Sequence, residues 1–207
     1  MLKQSSLMFC VLLAILLAQP TKANITLNEL IFDESKPFHL KILEGIPPEG
    51  KIEYGPKDAK NTIIEFMDYF CGYCKKIHPE LIEIVNERDD VRVIFLQHPI
   101  LSEASLMISK LVIAASFQNK GFELHHAVFS ITGSINKKKL ENAITESGIN
   151  RTKLKIDSGR PEIAKILKLS SFLANGIGSR GTPAIYINEK FFGGYIEKNE
   201  IIKLLKK

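Results

Sequence analysis

The 207-residue sequence has little cysteine, no long hydrophobic run and no strong charge. Each scarcity removes a class of explanation. Three cysteines are too few for a disulfide framework, and a soluble chain of this length buries an adequate core without one. A membrane-spanning helix needs about 20 apolar residues, and the run from Leu7 to Ala18 has twelve. The formal charge is only +5, and the lysines are spread along the chain without aromatic interleaving. That pattern reads as a solvated surface and not as a nucleic-acid interface. A structural zinc site wants four ligands. Here there is no second cysteine pair, and beyond His78, four residues after Cys74, no further partner is evident, so no metal is expected. Internal repeats and low-complexity tracts are also lacking. What remains, 45% hydrophobic and 25% charged residues, is a globular balance for one domain, or one domain with an insertion.

The N-terminus stands apart. Lys3 precedes the apolar run, and Thr21-Lys22-Ala23 places small residues before a cut after Ala23, so residues 1–23 read as a secretory signal peptide. An uncleaved anchor is the alternative. Cys10 lies inside the leader, in a context unsuited to lipidation because Phe9 is bulky and the apolar run continues past it. Without Lys3 and Lys22 the surplus falls to about +3. Export would place the protein where disulfides form and persist, in the periplasm.

Residues 24–50 hold few strong signals and are assigned to an arm preceding the domain proper. Asn24 to Phe32 could form a short amphipathic helix, and Gly45 to Gly50, with two prolines, reads as loop. Lys51 to Tyr54 suggests a short strand. Asn61 to Met67 is rich in β-branched and aromatic residues, as is Val91 to Leu96, and both are predicted strands. Between them, Gly72 to Asn86 carries Ile77, Leu81, Ile84 and Val85 at helical spacing, with Pro79 expected to kink it. This β-α-β order predicts two parallel strands. Ser102 to Ile177 is helical in pattern. The first of its helices, ending at Phe117, has a broad apolar face of Leu106, Met107, Leu111, Val112 and Ala115. Helices are further predicted over 122–129, 136–146, 150–156 and from Arg160-Pro161, the last with Phe172 or Leu173 on its apolar side. Thr182 to Ile187 resumes strand character. Asn188-Glu189 makes a turn, Lys190-Phe191-Phe192 pairs back, and Ile196 to Lys206 forms a final amphipathic helix.

The chemistry concentrates at Cys71-Gly72-Tyr73-Cys74. Two thiols at this spacing, on a turn between strand and helix, form a dithiol that can close and reopen. An inert structural disulfide is the plainer reading, but a loop this small adds little stability. Glu65 shares a strand face with Ile63 and Met67, so its carboxyl is expected to be buried with a raised pKa. The alternative is an edge glutamate in water. Asp68 reads as turn or surface. His125-His126 are assigned to surface or packing roles, and His98 to none in catalysis.

Together these segments resemble the DsbA branch of the thioredoxin superfamily over about residues 51–205. The resemblance rests on Glu65-Phe66-Met67-Asp68-Tyr69-Phe70-Cys71-Gly72-Tyr73-Cys74-Lys75, on Gly181-Thr182-Pro183-Ala184-Ile185-Tyr186-Ile187, and on the helical block between them. It implies an α/β thioredoxin fold, residues 51–100 and 178–207, with an inserted all-helical domain, residues 101–177. It implies a protein disulfide oxidoreductase needing no cofactor. The helix start favours a thiolate on Cys71, marking it as the exposed nucleophile, and Cys74, one turn on, is the more buried resolving thiol. The resemblance further implies a cis Thr182–Pro183 bond facing the cysteines, with Thr182 and Pro183 contacting substrate, and a proton-transfer role for Glu65.

Two features depart from the strongest oxidase of that branch. Gly72-Tyr73 stands where it has Pro-His, and Thr182 resembles the isomerases and some reductases. The direction of exchange therefore stays open: forming disulfides in unfolded or partly oxidised secreted proteins, rearranging them, or reducing them. The corresponding partner is a membrane quinone-linked oxidase or a membrane thiol donor. A thiol-independent binding protein or chaperone is the rival class.

Overall fold

The computed structural model describes residues 35–206. The proposed leader and the possible helix over 24–32 lie outside these residues. A five-stranded mixed sheet organises the fold, in the order β1-β3-β2-β4-β5. Its strands are β1 (Ile52–Tyr54), β2 (Asn61–Met67), β3 (Val91–Gln97), β4 (Ala184–Ile187) and β5 (Lys190–Phe192). β2 and β3 run parallel, with Glu65 opposite Phe95, and β4 pairs antiparallel with β2, with Glu65 opposite Ile185. The parallel pair needs a crossover, and helix α2 (Gly72–Glu87) supplies it.

The central strand β2 is buried along its whole length, so both sheet faces must be covered. Side chains alternate between the faces. Ile63 and Met67 pack on one side with Phe95, Ile185 and the α2 residues Ile77, Leu81 and Ile84. Ile64 and Phe66 pack on the other with Ile94, Leu96, Ala184 and Tyr186. Each such side chain, fully removed from water, contributes roughly 1.5–3 kcal/mol of hydrophobic transfer free energy.

The second face is covered by elements from distant parts of the chain. Helix α1 (Phe38–Gly45) brings Ile42 and Leu43, while Leu173 and Ala174 come from a helix more than a hundred residues later. Sequence patterning assigned no regular element to residues 33–44, and α1 has no side-chain cap to announce it: Pro37 occupies its N-cap. The segment after it forms a single 3-10 turn, Pro48–Gly50.

Between β3 and β4 run α3 (Glu103–Ser116), α4 (Gly121–Phe129), α5 (Lys137–Glu146), α6 (Arg151–Asp157) and α7 (Pro161–Gly176). Their starts are chemically marked. Ser102, Asn136 and Asn150 each accept the backbone N–H three residues on, and Pro161 opens α7. Helix α4 docks on β1 through Phe122 stacked on Tyr54, ring centroids 4.3 Å apart.

Some expectations change. Met107 is 50% exposed, because the buried side of α3 is centred on Ser105, Ile108 and Val112. Ser105 is held inside by a hydrogen bond to Asp68. On α7 it is Leu173 that turns inward, while Phe172 is exposed. The final helix α8 is shorter than its pattern, Lys198–Leu204. Before it, the Tyr195 hydroxyl donates to Glu80 of α2 (2.8 Å). After it, Asn61 holds the Lys206 backbone at both N–H (2.7 Å) and C=O (3.1 Å). The β4–β5 turn uses Asn188 at φ +51°, and the chain leaves β1 through Gly55 at φ +104°. A Cβ on Gly55 would lie 2.6 Å from the Val91 carbonyl, so no other residue fits there without a shift.

Candidate active site

The carboxyl end of β2 delivers the chain into a turn whose last residue, Cys71, is the N-cap of α2. The turn is closed by the Cys71 N–H donating to the Asp68 carbonyl (3.1 Å). An N-cap side chain faces the unpaired N–H groups of the first helical turn. Here the capping atom is sulfur: Cys71 Sγ accepts the Cys74 N–H at 3.3 Å. On its other side the Cys71 thiol donates to the Thr182 carbonyl at 3.1 Å. Both Cys71 and Cys74 are free thiols in this state.

Hydrogen-bond donors around the sulfur lower the Cys71 pKa to about 6. The largest cause is a hydrogen bond from the Cys74 thiol. Burial opposes it, and the Thr182 side chain and the backbone N–H groups of Cys74 and Tyr73 add to it. At pH 7 the thiolate is then favoured over the thiol. Cys74 is shifted the other way, first by burial, then by its hydrogen bond to Cys71 and the charge of Glu65. It stays a thiol.

The two sulfurs differ in access, though less simply than expected. Cys74 is wholly buried, but Cys71 is itself only 7% exposed. Its partial cover comes from the packing that also gives it partners. Phe70 and Tyr73 on either side are exposed. Cys71 lines a cleft of about 160 Å³ together with Tyr69, Phe70, Lys75, Val128 and Phe129, so the helical insert forms one wall. The Lys75 ammonium crosses to that wall and donates to the Ile131 carbonyl.

Glu65 lies on the sheet face that α2 covers, and it is fully buried. Among the described residues neither carboxyl oxygen has a hydrogen-bond partner of ordinary geometry. Burial pushes its pKa well up; the Cys74 thiol pulls against this as a donor, and the charge of Cys71 adds to the rise. The carboxyl therefore resists ionisation and is electrostatically coupled to both cysteines. The Thr182–Pro183 bond is cis, and the loop before it is braced by Ser179, whose hydroxyl donates to the Gly181 carbonyl (2.7 Å). The fold thus brings Glu65, Cys71, Cys74, Thr182 and Pro183 together from β2, α2 and the approach to β4.

Asp68, expected in a turn or at the surface, is in the turn but fully buried. Its carboxylate accepts from Phe70 N–H (2.8 Å), Ser105 Oγ (2.7 Å), Ile100 N–H (2.9 Å) and Leu101 N–H (3.0 Å). The local bond to Phe70, an Asx turn, is a recognisable short-range pattern. The other three donors come from across β3, which nothing in the local sequence announces. His125 is buried and shares a hydrogen bond with the Tyr69 hydroxyl (2.9 Å), while His78 Nε2 and His126 Nδ1 lie 3.0 Å apart. His98 is buried against α7, 3.2 Å from Ser171 Oγ. Among the described residues no group of three or more His, Cys, Asp or Glu is placed to hold a metal.

A parallel-plus-antiparallel sheet with a dithiol at the start of the crossover helix, a cis-proline loop opposite, and an inserted helical block defines the DsbA-like class of the thioredoxin superfamily. A family model described as thioredoxin matches residues 48–207, and the chain belongs to that family, among its DsbA-like thiol–disulfide oxidoreductases. No curated protein matches the chain by sequence. Several solved structures do match. A thioredoxin-like oxidoreductase from Silicibacter pomeroyi DSS-3 is 26% identical, with a TM-score of 0.71, covering 76% of this chain and 91% of its own. The thiol-disulfide exchange protein alpha-DsbA2 from Wolbachia pipientis is also 26% identical at a TM-score of 0.71, covering 79% and 90%. The catalytic domain of Proteus mirabilis ScsC shares the fold at 24% identity and a TM-score of 0.69, covering 80% and 93%.

Proposed function

We propose that this is an exported protein disulfide oxidoreductase that forms, or rearranges, disulfides in secreted proteins through Cys71 and Cys74. The observation that carries the reading is the Cys71 sulfur, capping α2 at 3.3 Å from the Cys74 N–H and 3.1 Å from the Thr182 carbonyl. In the oxidised enzyme a substrate thiolate attacks Cys71 Sγ. The Cys71–Cys74 bond breaks, its electron pair leaves on Cys74 Sγ, and Glu65 supplies the proton. A mixed disulfide between substrate and Cys71 remains. A second substrate thiolate attacks the substrate sulfur, the disulfide forms there, and Cys71 departs as a thiolate. Two electrons have passed to the enzyme. A stabilised Cys71 thiolate favours this last step.

The Thr182 carbonyl 3.1 Å from Cys71 Sγ, and the exposed rings of Phe70 and Tyr73 on either side of it, support an extended substrate running past Cys71 along Thr182 and Pro183. An unfolded secreted protein is the substrate this arrangement suits. The leader pattern of residues 1–23 supports export to the periplasm, and a membrane quinone-linked oxidase would remove the electrons.

Rearrangement is the second reading, and one observation favours it. The Cys71 thiolate is stabilised by hydrogen bonds from Cys74, the Thr182 side chain and Tyr73, with no cation among the described residues as a leading contributor. A less stabilised thiolate makes a weaker oxidant, suited to a partner that supplies thiols. Equilibration with glutathione gives the potential, and oxidation of reduced ribonuclease beside repair of scrambled ribonuclease separates the two. Oxidase activity lost in Cys71→Ser supports the reading. Full retention of function by that variant would instead mark a thiol-independent binding protein.

A further inference from the structure

We propose that Asp68 is a positioning residue for Cys71: its buried carboxylate clamps the turn carrying the nucleophile onto the loop that opens the helical insert. The proposal rests on the redox reading of Cys71 given above. Its ground is the donor set. Asp68 Oδ1 takes Phe70 N–H and Ser105 Oγ–H; Oδ2 takes Ile100 N–H and Leu101 N–H, all at 2.7–3.0 Å. All four acceptor positions of an ionised carboxylate are in use. The same residue's carbonyl accepts the Cys71 N–H. One side chain therefore joins Phe70, the residue before Cys71, to the loop after β3 and to the first turn of α3.

The clamp has a specific consequence for the sulfur. Cys71 is an N-cap, and its interaction with the Cys74 N–H depends on the angle at which the chain enters α2. Phe70 N–H and Cys71 N–H, both tied to Asp68, set that angle. Four donors surround the carboxylate, and an amide cannot satisfy them. Asp68→Asn keeps the size but turns an NH₂ group toward a pair of donors. An NH₂ toward Ile100 and Leu101 loses both bonds, and one toward Phe70 loses that bond while Ser105 Oγ can turn to accept; either way the clamp between the turn and the loop after β3 is broken on one side.

The test is the titration of Cys71, followed by thiolate absorbance in the reduced protein carrying Cys74→Ser, with and without Asp68→Asn. Simple removal of a nearby negative charge would lower the Cys71 midpoint. Release of the turn weakens the N–H donors to the sulfur and raises it, by about one unit if one such hydrogen bond is lost. A rise supports the clamp; an unchanged or lowered midpoint overturns it, whatever happens to stability. Should Asp68→Asn not fold, Ser105→Ala removes one donor from the far side of the clamp. A rise in its midpoint then supports the proposal, and an unmoved midpoint rejects it. A parent whose Cys71 titrates as an ordinary thiol would sink the redox reading itself, which is a separate result.

Discussion

Glu65 and Cys74 are both wholly buried, and the charge of the carboxylate raises the pKa of the thiol. Two acids that cannot both ionise in one dry space can exchange a proton instead. Cys74 must gain a proton as it leaves Cys71 and lose one to attack the mixed disulfide. Both carboxyl oxygens of Glu65 are buried, and on the proposed function this carboxyl carries that proton. Glu65→Gln should slow release of the mixed disulfide by on the order of 10²-fold, within the range for a lost general acid–base. The first attack by Cys71 on a small disulfide should be almost unchanged. Stopped-flow measurement of both steps checks the split; equal slowing of the two would contradict it.

The Cys71 pKa of about 6 predicts two pH dependences. Alkylation of the reduced protein should follow the thiolate, rising with a midpoint near that value. Stability should follow by linkage. The folded pKa lies below the unfolded thiol value of about 8.5, so the unfolded state holds more protons in the interval between them. The thiolate's contribution is full above the unfolded value and is lost as pH falls through the folded one. Denaturant titrations of the reduced protein and Cys71→Ser should therefore diverge as pH rises from about 6 to about 9. Parallel curves would refute the shift.

Helix α1 should matter more than its eight residues suggest. Ile42 is 1% exposed, packed with Phe66 and Ile94 on the sheet face opposite α2. Ile42→Ala should cost roughly 2–5 kcal/mol, the usual range for emptying such a site. The midpoint of urea unfolding measures it. A cost under about 1 kcal/mol would show that α1 is not a working part of the core.

The same helix shows where sequence reading stops. Both parallel strands and the starts of α3, α5, α6 and α7 announce themselves through β-branched runs, Ser or Asn caps and a first-turn proline. Helix α1 has none of these, and an eight-residue helix is marginal alone; docking on Phe66 and Ile94 stabilises it. The site divides in the same way. Cys71, Cys74 and the face of Glu65 follow from local spacing and strand alternation, whereas Thr182 and Pro183 came only through family resemblance. The buried role of Asp68 depends on donors 32 to 37 residues away, brought in by the β2–β3 pairing. Local periodicity carries no trace of such a contact.

The imidazole cluster between α2 and α4 predicts acid sensitivity. His78 is buried, its ring stacked on Phe129 at 4.8 Å and edge-on to His125 at 4.9 Å, and His126 lies beside it. Burial, with the charge of His126, lowers its pKa to about 3. His125 is shifted well down in the same way. A histidine held neutral in the fold gains its proton on unfolding once the pH drops below about 6.5, so its stabilising contribution is present above that value and is lost as pH falls toward the folded pKa. At pH 5 the loss is about 2 kcal/mol for one such group. His78→Phe keeps an aromatic ring against Phe129 and removes the titration. Its stability should therefore fall less than that of the parent between pH 7 and pH 5, by about that amount. Chemical denaturation at the two pH values decides the matter: an equal fall in both proteins would mean that His78 already carries a proton in the folded state at pH 5.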